Sequence, residues 1–314
     1  MTTSSRAGTG LRPAALFLVL ALPFWAGCGG SDAPQAGGPL VTHDLTELGL
    51  QHPAAVVVDT IADVYLVTNI NGPEGVTDGN GFISRISPDG EPIAARWIDA
   101  SGTAIAMHSP RGLAIRGDSI VVGDQNCLRV FSRLDGVDLG YSCLDGIGYI
   151  TDVDVGPEGS VFITAGGYEV TDEGLEASGT DAVYRIVLSD QSRGATLVRG
   201  PDLGHPSGIA VGRRGIFVTT EGSGEIFRLT PGGERTNVFS PSERELRGIV
   251  FLPDGGFVFT SRGEQAVYHV SDEGRVTRIA EGLPDPGAPG FDAARNRVIV
   301  PLRSENRLIF IDLS

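Results

Sequence analysis

The chain has 314 residues and a formal net charge of −15, from 39 acidic against 24 basic side chains. Such an acidic surface repels nucleic acid and anionic lipid headgroups, and no Lys/Arg-rich patch offsets it, so neither class of partner is expected. The three cysteines, Cys28, Cys127 and Cys143, contain no C-x-x-C spacing, which excludes a thiol redox centre.

In chain order, Arg6 and Arg12 precede an apolar run from Ala14 to Trp25, followed by Ala26-Gly27-Cys28. The run is too short, and too close to small residues, for a transmembrane helix, so residues 1–27 read as an export signal. Cysteine after Ala-Gly resembles a bacterial lipoprotein signal, which implies Cys28 as the lipidated first residue of the mature chain. Trp25 stands where such signals carry leucine, and a plain secretory signal or an uncleaved anchor is the alternative. Residues 28–39 follow as a flexible tether of Gly, Pro and small polar residues. The expected location is the periplasm or the cell surface, membrane-held through the lipid alone, or soluble and secreted if Cys28 stays unmodified.

Residues 40–314 are organised by a repeat. Six apolar runs start at Pro53 (PAAVVV), Pro110 (PRGLAI), Ile150 (ITDVDV), Pro206 (PSGIAV), Leu246 (LRGIVF) and Ala288 (APGFDA). Each is followed by a second run (VYLVT, SIVVG, VFITA, IFVTT, FVFTS, VIVPL) rich in β-branched and aromatic residues, as buried strands are. Third runs (FISRI, LRVFS, VYRIV, IFRLT, VYHVS, LIFID) mostly close on Pro-Asp-Gly-like turns. Four antiparallel strands repeated six times, without helical periodicity, predict an all-β, six-bladed β-propeller, since ring closure protects the sheet edges. The sixth unit has only three runs. Leu40–Leu48, alone before the first unit, is the expected fourth strand of that last blade and joins the chain ends.

Counting outward from the turn Leu134-Asp135-Gly136 places Cys127 opposite Cys143 across a hairpin, as a disulfide or a reduced pair. Two irregular segments, 69–82 and 166–181, project as long loops from one face. Their Asp78, Asn80, Asp172, Glu173 and Asp181 match no EF-hand spacing and read as solvated acidic loops.

The stretch SPRGLAIRGDSIVVGDQNCLRVFSRLDG resembles an NHL-type repeat. The six-unit layout, HPSGIAVGRRGIFVTTEGSGEIFRLTPGG in particular, is similar to the senescence marker/gluconolactonase (SGL) propellers. That resemblance implies a divalent metal in the central channel, held by Glu, Asn and Asp near the start of several inner strands. This chain places Ala54, Arg111, Thr151, Ser207, Arg247 and Pro289 there. Hydroxyls, a methyl and cations do not hold a calcium- or zinc-like ion, and Asp152, one residue on, restores one ligand at most. His205 and Ser207 are separated by Pro206, lack a recognisable orienting carboxylate and do not form G-x-S-x-G; His52-Pro53 repeats His205-Pro206, so the histidine reads as a blade feature.

No catalytic residue, metal ligand or cofactor is therefore assigned. Candidate channel-mouth binding residues are His52, Asn69, Arg111, Asp124, Asp152, Ser207, Glu221, Arg247, Arg262 and Arg303, a partly cationic set suited to an anionic small molecule or a peptide carboxylate. The expected function is that of a non-catalytic, monomeric binding or scaffold module at the cell envelope, its partner an envelope protein, peptide or small molecule. The alternative is an SGL-like lactone or ester hydrolase with altered ligands, and a divalent metal, calcium or zinc, is expected only there.

Overall fold

A computed structural model describes residues 41–99, 106–172, 174–188, 193–240 and 245–313. The chain divides into units Met1–Ala33 and Pro34–Ser314, and all described residues belong to the second. The export signal, Cys28 and the tether lie outside the described residues.

Strand β1 (Val41–Leu45) is followed by six successive blades. Blade one is β2 (Pro53–Asp59), β3 (Val64–Asn69), β4 (Phe82–Ile86) and β5 (Pro92–Asp99); blade two is β6 (Pro110–Arg116), β7 (Ser119–Asp124), β8 (Cys127–Ser132) and β9 (Asp138–Cys143). Blade three comprises β10 (Ile150–Val155) and β11 (Val161–Ala165), then β14 (Ala182–Val187) and β15 (Arg193–Arg199); β12 (Tyr168–Thr171) and β13 (Gly174–Ala177) form a separate hairpin between its second and third strands. Blade four is β16 (Pro206–Gly212), β17 (Gly215–Thr220), β18 (Ile226–Leu229) and β19 (Arg235–Phe239); blade five is β20 (Leu246–Phe251), β21 (Phe257–Ser261), β22 (Ala266–Val270) and β23 (Val276–Glu281). Blade six is β24 (Gly290–Asp292), β25 (Arg297–Leu302) and β26 (Arg307–Asp312), completed by β1. The closure expected from Leu40–Leu48 is thus present, with β1 antiparallel to β26.

The burial pattern explains why the repeat is legible. Every residue of β3, β11 and β21 is buried, because blades stack face to face and cover both sides of a second strand, so it reads as an unbroken apolar run. At the rim, β9 alternates half-buried and exposed positions. The core is a ring of blade–blade contacts: Leu66 and Ile83 of blade one pack with Ile120, Val122 and Phe131 of blade two. Burying each such side chain contributes roughly 1.5–3 kcal/mol.

Cys127 and Cys143 sit directly opposite in β8 and β9 and form a disulfide. One alignment is corrected. In blade six, Pro286 pairs with Leu302 as Pro53 pairs with Asn69, and Ala288 bridges Ala55, so Gly287 rather than Pro289 is the counterpart of Arg111 and Arg247. The innermost chain of that blade starts two residues earlier than its apolar run suggests.

Candidate functional site

Ala54, Arg111, Thr151, Ser207, Arg247 and Gly287, one from each blade, surround a constriction of the channel, joined by Arg303. Threonines set their positions. The hydroxyl of Thr68 donates to the Arg111 carbonyl at 2.6 Å, that of Thr164 to Ser207 at 3.4 Å, that of Thr219 to Arg247, and that of Thr260 to Gly287 at 2.9 Å. Four of the six second strands thus fasten the ring residue of the next blade. The glycine after the ring residue serves close approach more than turning: a Cβ on Gly208 would lie 2.4 Å from the Arg247 carbonyl oxygen, and one on Gly248 would lie 2.3 Å from Ala288 Cα.

Three guanidiniums are buried here: Arg111, Arg247 and Arg303 are 7%, 5% and 3% exposed. Arg111 donates to Glu74 Oε2 at 3.0 Å, and its guanidinium carbon lies 5.8 Å from the Tyr149 ring centroid. Arg303 pairs with the other oxygen of Glu74, and its Nε stands 4.0 Å from Asp285 Oδ2. Arg247 donates to Glu221 Oε2 at 3.2 Å. The more exposed Arg262 reaches Glu221, Glu245 and Asp285 at 3.5–3.6 Å. Arg247 Nε and Arg303 Nε are buried without a hydrogen-bond partner among the described residues. Burial lowers the pKa of Arg303 to about 10 and also lowers that of Arg247, where Arg111 and Arg262 oppose the support of Glu221 and Asp285.

His52 and His205 are equivalent. Both hold left-handed backbone, φ 53° and 58°, before a strand-opening proline, and both place Nδ1 against a loop carbonyl, Gly72 at 2.9 Å and Gly166 at 2.7 Å. His52 Nε2 also meets Arg303 at 3.2 Å, and burial together with that cation lowers its pKa. His205 does have a carboxylate beside it: Asp181 Oδ1 accepts its backbone N–H at 2.6 Å and lies 3.5 Å from Nδ1. Asp181 is 1% exposed and clamps the start of blade four, so it is not the solvated loop acid expected from sequence. The His205 ring stacks on Tyr168, centroids 5.1 Å apart, with Nδ1 engaged by Gly166.

Two candidates are not at the mouth. Asn69 and Asp124 are the last residues of β3 and β7, fully or nearly buried. Asn69 accepts from Gln51 N–H at 2.9 Å and donates to Ser84; Asp124 accepts from the His108 and Ser109 amides and pairs with Arg129 at 2.6 Å. Glu221, Arg262 and Arg303 stand one residue beyond the ends of β17, β21 and β25, and one residue along an extended chain reverses the side-chain direction. Glu74 and Asp285 complete the mouth and were missed. Asp285 precedes Pro286 as His52 precedes Pro53, a signal hidden by the misaligned sixth run; Glu74 belongs to an irregular loop without any such signal.

Asp152 belongs to a different part of the channel. A cavity of about 270 Å³ beyond the constriction is lined by Val56, Val58, Leu113, Val211, Phe251 and the carboxylates Asp152 and Asp154. Asp152 accepts amide N–H bonds from Val153 at 2.9 Å and Ile209 at 3.0 Å, and Asp154 accepts them from Val155 at 2.7 Å and Val211 at 2.6 Å. Burial pushes their pKa values up to about 7 and about 6, against the pull of these amides. The carboxylates link the inner strands of blades three and four, where blades six and one use direct backbone bonds, Val56 N–H to Ala288 and Ala288 N–H to Ala54.

The donor set does not fit the metal implied by the SGL resemblance. The ring presents two guanidiniums, two hydroxyls, a methyl and a glycine, and the oxygens of Asp152 are occupied by amides. Among the described residues no group of three or more His, Cys, Asp or Glu side chains converges to hold an ion.

No protein-family model and no curated protein sequence matches the chain. Solved structures do. A gluconolactonase from Xanthomonas campestris is 17% identical, with 90% of this chain and 96% of that chain covered and a TM-score of 0.66. Virginiamycin B lyase from Staphylococcus aureus is 15% identical over 87% of this chain and 98% of that chain, TM-score 0.61. A chain of a nidogen/laminin complex is 16% identical over 72% and 82%, TM-score 0.53. At such identities the likeness concerns the fold, a six-bladed propeller with structural neighbours of gluconolactonase and virginiamycin B lyase type.

Proposed function

We propose that this protein is an exported, lipid-anchored, non-catalytic binding propeller of the cell envelope, whose channel mouth takes an anionic small molecule or a peptide carboxylate. The observation carrying this reading is the set of three buried arginines at the constriction, two of them with a buried Nε that has no hydrogen-bond partner among the described residues. A buried guanidinium with an unused donor is costly, and an anion entering the mouth relieves that cost by forked hydrogen bonds. Export and anchoring rest on the N-terminal sequence, Arg6 to Cys28.

Lactone or ester hydrolysis is the second reading, favoured by the fold likeness to a gluconolactonase. It meets a donor set unsuited to the metal, and a fold of this kind carries binding and catalytic sites alike. The discriminating experiment measures bound metal in the purified full chain and lactone turnover with calcium, zinc or manganese added. No stoichiometric metal and no turnover are expected, whereas both together in the unmodified protein overturn the binding reading. Fatty-acid labelling is expected at Cys28, and an unlabelled mature protein replaces the anchored form with a soluble secreted one.

A further inference from the structure

The carboxylate of Glu74 already occupies the position an anionic ligand would take. It joins Arg111 of blade two to Arg303 of blade six, although it comes from the irregular loop of blade one that lies between them. We infer that Glu74 is a built-in occupant of the anion subsite, displaced when a ligand carboxylate binds; this rests on the binding reading above.

The loop backbone around Glu74 is held in place. Gly75 N–H donates to Ser109 Oγ at 2.9 Å, and Gln125 Nε2 donates to the Gly75 carbonyl at 3.3 Å and to Thr77 Oγ1 at 3.0 Å. Leu175 packs on Gly75 so closely that a Cβ there would lie 2.6 Å from Leu175 Cδ2. The movable part is the Glu74 side chain, which is 23% exposed and turns about its own bonds without the loop shifting.

Charge balance defines the ligand. Exchanging one carboxylate for another leaves the charge around Arg111 and Arg303 unchanged, so the exchange alone yields little affinity. The gain comes from a second acceptor meeting the guanidiniums of Arg247 and Arg303, which line the same constriction as Arg111. The ligand class is a carboxylate with a second oxygen acceptor a few bonds away, as in a small dicarboxylate or a peptide C-terminus.

Calorimetry on the full chain tests this with succinate, a tetrapeptide with a free C-terminus, the same peptide amidated, and inorganic phosphate. Glu74→Gln is expected to tighten succinate binding at least tenfold, and Glu74→Asp, whose shorter side chain no longer spans both arginines, by less. Glu245→Gln removes the same charge from the exposed rim and is expected to change affinity less than twofold. Arg303→Met in the Glu74→Gln background is expected to abolish the gain. Tighter binding of the free peptide than of succinate assigns the carboxylate to a chain end, and the reverse assigns it to a small molecule. Equal binding of free and amidated peptide, or phosphate binding as tightly as succinate, overturns the carboxylate class. Equal affinity in the unmodified protein and both Glu74 variants overturns the role of Glu74 and leaves the binding reading standing. No binding to any of them overturns both. Should Glu74→Gln fail to give a cooperative melting transition, the comparison is read from Glu74→Asp.

Discussion

The two ends of the channel carry buried charge of opposite sign and use it differently. At the inner cavity each oxygen of Asp152 and Asp154 accepts a backbone amide, so the carboxylates act as ladder bonds between the inner strands of blades three and four. At the mouth, Arg111, Arg247 and Arg303 are paired with side chains from loops and other blades, and two Nε atoms are left over. Hydrogen-bonding capacity distinguishes the two ends more than burial does: the inner carboxylates are saturated, and two guanidiniums at the mouth are not.

The contrast is broken most directly at the inner end. Asp152→Ala leaves the amides of Val153 and Ile209 unsatisfied in a buried place, which costs about 2–3 kcal/mol. Urea unfolding measures it, and succinate affinity at the mouth is expected to stay unchanged. A loss below about 0.5 kcal/mol, within the range of ordinary surface changes, would falsify the ladder role.

The pH dependence sharpens the same point. Folding raises the Asp152 and Asp154 pKa values from 3.8 to about 7 and about 6, so the folded state binds more protons than the unfolded state between about pH 4 and pH 7. Their contribution to stability is complete below about pH 4 and is lost as pH rises through 6 to 7, at up to about 1.4 kcal/mol per pH unit for each proton taken up. Urea midpoints measured across this range should fall, and should fall less steeply in Asp152→Ala.

At the mouth the expected effects reverse. Arg247→Met removes one partner of a partly exposed pair, and Glu221 keeps Arg262 beside it, so stability should fall by no more than about 1 kcal/mol. Succinate affinity should drop at least about tenfold, or about 1.4 kcal/mol. A large loss of stability with unchanged affinity would mean that Arg247 belongs to the scaffold. The smallest effect is expected at Arg262, which is 45% exposed and shared among Glu221, Glu245 and Asp285. Arg262→Gln should cost under about 0.5 kcal/mol in thermal melts, vanishing at high salt.

The recurring threonine of the second runs illustrates what was half legible. Thr68, Thr164, Thr219 and Thr260 read as strand-formers in sequence, and their β-branching does suit a buried strand. Their hydroxyls have a second role, fixing the ring carbonyls of the next blade, which only the blade-to-blade contact reveals. Asn69 and Asp124 teach the converse. Each directly follows a second run, which points to the mouth, but the pleat turns them into their blades, toward Gln51 and Ser84 or toward His108, Ser109 and Arg129.

By itself, the sequence determined the propeller, its six blades, the closing strand and the facing cysteines. These follow from local periodicity and turn spacing, which are written along the chain. It also placed Arg111, Ser207 and Arg247 on the channel, because a repeat maps equivalent positions onto equivalent places. Only the tertiary structure decided that Gly287 replaces Pro289, that Asp181 stands beside His205 and that Glu74 bridges two arginines from other blades. Those relations join residues 24 to 229 positions apart, or depend on a slip in register, and no periodic pattern records either.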